Sequence, residues 1–112
     1  MDKRVFGQIG ENTAADVLRA KGYRILRQNY RCSCGEIDII AEKDGDVSFV
    51  EVKTRQNFSY GRPCEAVDRK KLQHMHRAAR CYLEDMKEKG YFPRRYDFQI
   101  IEIVVQQMEA AL

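Results

Sequence analysis

The sequence predicts an α/β chain, more closely an α+β arrangement: a four-stranded mixed sheet flanked by helices, in the order α-β-β-β-α-β. Three observations predict it. Segments 36–42 and 47–53 are rich in Ile, Val and Phe and are joined by Glu42-Lys43-Asp44-Gly45-Asp46. The Asp-Gly pair in that turn is a hairpin signal, so the two strands lie antiparallel and side by side. The segment near 64–89 carries Leu72, Met75, Ala79, Tyr82, Leu83 and Met86 at helical spacing. Segment 95–105 follows that long helix and is apolar on both faces, Tyr96, Phe98 and Ile100 on one and Ile101, Ile103 and Val105 on the other. Such a strand belongs inside a sheet covered on both sides. Reached through a helix, it takes a parallel position.

The remaining elements follow in order. Residues 7–21 form an amphipathic helix, because Ala14, Ala15 and Leu18 lie three, four and seven positions after Glu11 on one stripe. A strand near 23–31 leads into the hairpin, and 106–112 reads as a C-terminal tail. The chain of 112 residues, 44% apolar, can bury one core and hardly two, so 1–112 is read as a single domain.

Two carboxylates and a lysine stand out on the hairpin. Strand alternation places Glu36, Asp38 and Ile40 on one face, with Ile37, Ile39 and Ala41 on the other. On the next strand Val47, Phe49, Glu51 and Lys53 share a face, so Glu51 and Lys53 continue a stripe that begins apolar. Charges there lose hydration and are tolerated when they pair or hold a metal. Asp38 and Glu51 then sit within reach of one cation. The plainer explanation of Glu51 and Lys53 is a salt-bridged strand edge. Glu11 adds a third carboxylate on the inward stripe of its helix; a first-turn complement to the helix dipole would explain its charge but not its face.

Charge is distributed unevenly. Between Val52 and Arg80 there are eight bases (among them Arg55, Arg62, Lys70, Lys71 and Arg77) and two acids, hence +6; the whole chain carries +3, so the remainder carries −3. A basic segment following a carboxylate cluster suits a polyanion whose backbone is carried to a metal. A solvated helix face is the alternative. The loop Thr54 to Arg62 is the expected mobile element, where Arg55, Tyr60 and Arg62 would close over a nucleic acid, unless Tyr60-Gly61 is only a turn.

Gly10-Glu11, Gly22-Tyr23, Gly35-Glu36-Ile37-Asp38, Phe49-Val50-Glu51-Val52-Lys53-Thr54-Arg55, Tyr60-Gly61 and Arg95-Tyr96-Asp97 together resemble the YraN family of small bacterial proteins across nearly the entire chain. That family is similar in its core to the PD-(D/E)XK nucleases, which include restriction endonucleases, RecB-type nuclease domains and archaeal Holliday-junction resolvases. The resemblance implies a restriction-endonuclease-like core. It implies Asp38 as the motif Asp, Glu51 as the acid preceding the catalytic Lys53, and Glu11 as the helix carboxylate. Ile37 stands where many members of the superfamily have Pro. The activity implied is metal-dependent hydrolysis of phosphodiester bonds, with structured or branched DNA in repair or recombination as the substrate class. Asp38, Glu51 and the backbone carbonyl of Val52 would ligate Mg²⁺ or Mn²⁺. Lys53 would orient the attacking water and offset charge in the transition state. Glu36 would assist as an accessory acid, and Arg55, Tyr60, Arg62, Lys70, Lys71 and Arg77 would contact nucleic acid. Asp97 matches a family position without a derivable role; pairing with Arg95 is its structural explanation.

Two other classes stay open: an accessory protein that binds nucleic acid without cutting it, and a protein-interaction module with a vestigial metal site. The intact Asp38, Glu51 and Lys53 set argues against the first and the basic segment against the second. Met1-Asp2-Lys3-Arg4 leads into no apolar signal region and no run spans a bilayer, so a cytoplasmic protein without membrane partners is expected. A homodimer would extend the surface that so small a chain offers to DNA. Cys32, Cys34, Cys64 and Cys81 lack the paired spacing of a structural zinc site and are expected to be reduced thiols, Cys81 as a small core residue. His74 and His76 are expected on the helix surface. There is no Gly-rich phosphate loop.

Overall fold

The computed structural model of the chain describes residues 2–56 and 69–105. Its elements are α1 (Lys3–Ala20), β1 (Arg24–Cys32), β2 (Gly35–Lys43), β3 (Asp46–Arg55), α2 (Arg69–Glu88) and β4 (Arg95–Val104). The order is the expected one. The sheet runs β1-β2-β3-β4, with antiparallel pairing of β1 to β2 and of β2 to β3, and parallel pairing of β3 to β4. No described helix is long and apolar enough to cross a membrane. The expected tail and the loop beyond residue 56 lie outside the described residues.

Helix α1 begins four residues earlier than its apolar stripe indicates, because Asp2 caps it by accepting the Arg4 N–H at 2.8 Å. The β2–β3 hairpin closes through Asp44 and Gly45, both at positive φ (52° and 84°), the backbone a two-residue type I′ turn demands. Each helix covers one face of the sheet. On the α2 face, Ala78, Ala79 and Tyr82 pack on Tyr30, Ile37, Ile40, Val47 and Phe49. On the α1 face, Ala14, Ala15 and Leu18 pack on Ile39, Ala41 and Val50. The small residues of α1 let it approach β3 so closely that a Cβ at Gly10 would lie 1.8 Å from Thr54 Oγ1 and 2.9 Å from its Cβ. Gly10→Ala must therefore push α1 off β3. We expect a loss of about 1–3 kcal/mol, read as a lowered denaturation midpoint at unchanged m-value; a midpoint equal to wild type would mean Thr54 rotates away freely.

Two expectations are corrected. β4 is an edge strand among the described residues, not one covered on both faces: Tyr96 and Ile100 remain 54% and 42% exposed. Its double apolar pattern serves a rim where Phe98 packs on Phe49 on one side and Ile101 and Ile103 join the α1 cluster on the other. Asp97 does not pair with Arg95. It accepts the Ser48 hydroxyl at 2.6 Å, Gln99 donates to the same hydroxyl at 2.9 Å, and Arg95 lies 3.5 Å from Asp46. Asp97 thus satisfies the buried Ser48 across the β3–β4 seam.

Candidate active site

The site forms where β2 and β3 part. Their ladder ends at Ile39 opposite Val50, one step before Asp38 and Glu51 would face each other. Strand alternation also breaks there: Ile37 and Ile40 both lie in the α2-side cluster while Ile39 lies in the α1-side one. The regular alternation expected through Asp38 is therefore corrected to an irregular strand at that residue. Asn29, at φ 53° on the paired strand β1, marks the same irregularity. Asp38 fills the opening itself, its Oδ2 accepting the Val52 N–H at 2.7 Å in place of a backbone partner. In a strand the N–H and C=O of one residue point to the same edge. The Val52 carbonyl is thus directed to the edge that Asp38 occupies.

Glu51 is only 4% exposed and faces α2, where the Lys71 ammonium pairs with it; this contact holds the Lys71 pKa above its ordinary value. Burial pushes Asp38 up to about 7; the Val52 N–H works against that, and the charges of Glu51 and Glu11 add to it. Burial also raises Glu11, reinforced by Glu36 and Glu51 and opposed by Arg31. Among the described residues the buried Oε1 of Glu11 has no hydrogen-bond partner. Glu11 and Asp38 line a cleft of about 280 Å³ with Lys3, Gly7, Val52 and Thr54. A second cleft, about 320 Å³, lies between Gly35 and Glu36 on β2 and Lys70, Lys71 and His74 on α2.

Glu51 and Glu11, whose charges raise Asp38, together with Asp38 itself form a donor set of hard oxygens, and one oxygen of Glu11 is buried without a partner among the described residues. They suit a hard divalent cation such as Mg²⁺. Lys53 follows Glu51 by two on β3, half-buried and in register with Glu102 of β4. Arg55, expected to contact nucleic acid, is tied to Glu102 at 2.7 Å, and Glu36 to Arg31 at 3.4 Å. Lys70 and Arg77 are exposed on α2. Tyr60 and Arg62 lie outside the described residues. Sequence reasoning did not anticipate Lys71 as the partner of Glu51, nor His74 beside it. The available signal was helical: Lys70, Lys71 and His74 fall on neighbouring turns of one helix.

Residues 10–103, which contain Glu11, Asp38, Glu51 and Lys53, match the model of a family described as Uncharacterised protein family UPF0102. The chain belongs to the UPF0102 family. This is the YraN family reached from the motifs above. A UPF0102 protein of Alkaliphilus metalliredigens is 44% identical over 99 residues, covering 88% of this chain and 84% of its own length. One of Caldanaerobacter subterraneus subsp. tengcongensis is 41% identical over 112 residues, covering 100% and 89%. One of Caldicellulosiruptor saccharolyticus is 40% identical over 103 residues, covering 92% and 85%. UPF0102 membership accounts for the chain nearly end to end and assigns no chemistry to it.

Proposed function

We propose that this UPF0102 protein is a metal-dependent nuclease that hydrolyses phosphodiester bonds, with DNA as its partner and structured or branched DNA as its substrate class. One observation carries the reading. Asp38 replaces a backbone ladder partner at the point where β2 leaves β3, beside buried Glu51 and within the field of Glu11. A merely structural sheet has no use for such a concentration of desolvated acids.

Asp38, Glu51 and the Val52 carbonyl would hold Mg²⁺ or Mn²⁺, and Glu11 would anchor a water or a second ion. When bound, the cation polarises the phosphate and lowers the pKa of water at the site. Lys53 orients the attacking water and offsets the negative charge that grows on the phosphate oxygens. Lys71 compensates Glu51 when no cation does so, and with Lys70 it presents positive charge to a phosphodiester backbone at the second cleft.

The test is incubation of purified protein with linear, flapped, branched and single-stranded substrates in Mg²⁺, in Mn²⁺ and in EDTA. Cleavage that requires the metal supports the proposal. Binding without cleavage on every substrate would favour the accessory reading, for which the Lys71–Glu51 pair is the specific support: it neutralises Glu51 without any metal.

Both readings require a basic contact surface. Replacing exposed Lys70 and Arg77 together by Ala should weaken binding equally across sequences and reduce the slope of log K on log salt by about 1.8, at about 0.9 per phosphate contact on B-DNA. Unchanged affinity and slope would make this face of α2 a solvated one.

A further inference from the structure

We propose that Cys32, Cys34 and Cys81 form a thiolate site for Zn²⁺ that fastens the β1–β2 turn to α2. The sequence expectation of Cys81 as a core residue is corrected by the structure: it is half-exposed and its Sγ lies 3.8 Å from that of Cys34. The three Sγ atoms all lie within 4.8 Å of one another, and the three thiols are free. A tetrahedral Zn²⁺ with Zn–S bonds of about 2.3 Å needs sulfurs about 3.8 Å apart. The Cys34–Cys81 pair already has that spacing, and Cys32 needs at most about 1 Å of closure.

The absence of a paired CxxC hid this arrangement. Cys32 ends β1 and Cys34 sits in the two-residue turn before β2, so the backbone reversal brings both sulfurs to one side, and Cys81 arrives from α2. The turn is already seated on that helix, because a Cβ built at Gly35 would lie 3.2 Å from the His74 carbonyl oxygen. The sulfurs open onto a cavity of about 490 Å³ that also carries Arg77, Arg80, Glu84 and Asp85. Three thiolates on Zn²⁺ leave one net negative charge, in a cavity where Arg77 and Arg80 stand against Glu84 and Asp85. The fourth ligand position then faces water or a carboxylate in that cavity. Binding releases the thiol protons and forms Zn–S bonds without any change of oxidation state.

The site is independent of the carboxylate centre, yet it braces the end of β2 that carries Glu36 against the helix that carries Lys70 and Lys71. Full-length protein with Cys64→Ser, purified under reducing conditions, isolates the three thiols. We expect about one equivalent of zinc by elemental analysis, and thiolate-to-metal charge-transfer absorption on Co²⁺ substitution. Zinc at a hundredfold excess over Kd should raise Tm by about 10 °C. Cys34→Ser, at an exposed turn where folding is not at stake, should lose all three signals while far-ultraviolet circular dichroism stays unchanged. No zinc in reduced protein, zinc retained in both Cys34→Ser and Cys81→Ser, or a Cys34–Cys81 disulfide that forms in preference to metal binding would overturn the proposal.

Discussion

Lys53→Ala should lower Mg²⁺-dependent cleavage by about 10²–10³-fold, equivalent to about 2.7–4 kcal/mol of lost transition-state stabilisation, while leaving DNA affinity and magnesium binding near wild type. The separation follows from the positions of the groups. Lys53 is no part of the oxygen donor set, so its removal should affect the reacting phosphate and the water rather than the cation. Asp38→Asn and Glu51→Gln should also abolish cleavage, but by a different route, since each removes a hard anionic donor and with it the cation. Single-turnover cleavage and magnesium-dependent melting on the same preparations distinguish the two routes. Cleavage at the wild-type rate in Lys53→Ala would assign the activity to a contaminating nuclease or to another site. A Lys53→Ala protein that no longer responds to magnesium would instead move Lys53 into the structure of the metal site.

The parts of this site readable in advance are those fixed by local rules. The Asp44-Gly45 turn sets the hairpin, and the hairpin sets Asp38 near Glu51. Ala14, Ala15 and Leu18 fix which face of α1 is buried and therefore where Glu11 points. What escaped the sequence is non-local or depends on a broken pattern. Nothing in the composition of Ile37-Asp38-Ile39-Ile40 announces that alternation fails at Asp38. The cause is tertiary: Ile37 and Ile40 are drawn to α2 and Ile39 to α1, and the carboxylate is left to satisfy Val52. Lys71 reads as one more base in a basic run, and only the packing of α2 on the sheet assigns it to Glu51. The thiol cluster joins residues 47 positions apart, beyond any spacing rule. The edge position of β4 is not legible in the sequence, because an apolar pattern on both faces is common to a central strand and to a rim strand whose two sides meet different neighbours.

Asp38→Asn should stabilise the metal-free protein above neutral pH while destroying its response to magnesium. The sign follows from proton linkage. A carboxyl whose folded pKa is raised from its ordinary value near 4 to about 7 makes the folded chain bind more protons than the unfolded one between those two values. Stability contributed by the protonated form is therefore complete below about pH 4, is lost as pH rises toward 7, and is absent above it. A shift of this size corresponds to at most about 4 kcal/mol, and solvent reaching the partly buried group reduces the expected loss to about 1–2 kcal/mol. Burial is the main cause, and the neighbouring charges of Glu51 and Glu11 add to it. Neutral Asn keeps an oxygen for the Val52 N–H and removes the charge, so the mutant should melt about 5 °C higher than wild type at pH 8 in EDTA, with no difference near pH 4. Glu11 is raised in the same direction, so a shallow pH dependence should survive in Asp38→Asn and disappear in the double variant with Glu11→Gln. Magnesium at tenfold excess over Kd should stabilise the wild type by about 1.4 kcal/mol, again about 5 °C, and leave Asp38→Asn unmoved. Melting curves of both proteins from pH 4 to pH 8, in EDTA and in Mg²⁺, decide the matter. A wild type whose pH dependence of Tm in EDTA equals that of Asp38→Asn, together with an Asp38→Asn protein that gains as much from magnesium as the wild type does, would remove Asp38 from the ligand set and leave its bond to Val52 as its whole role.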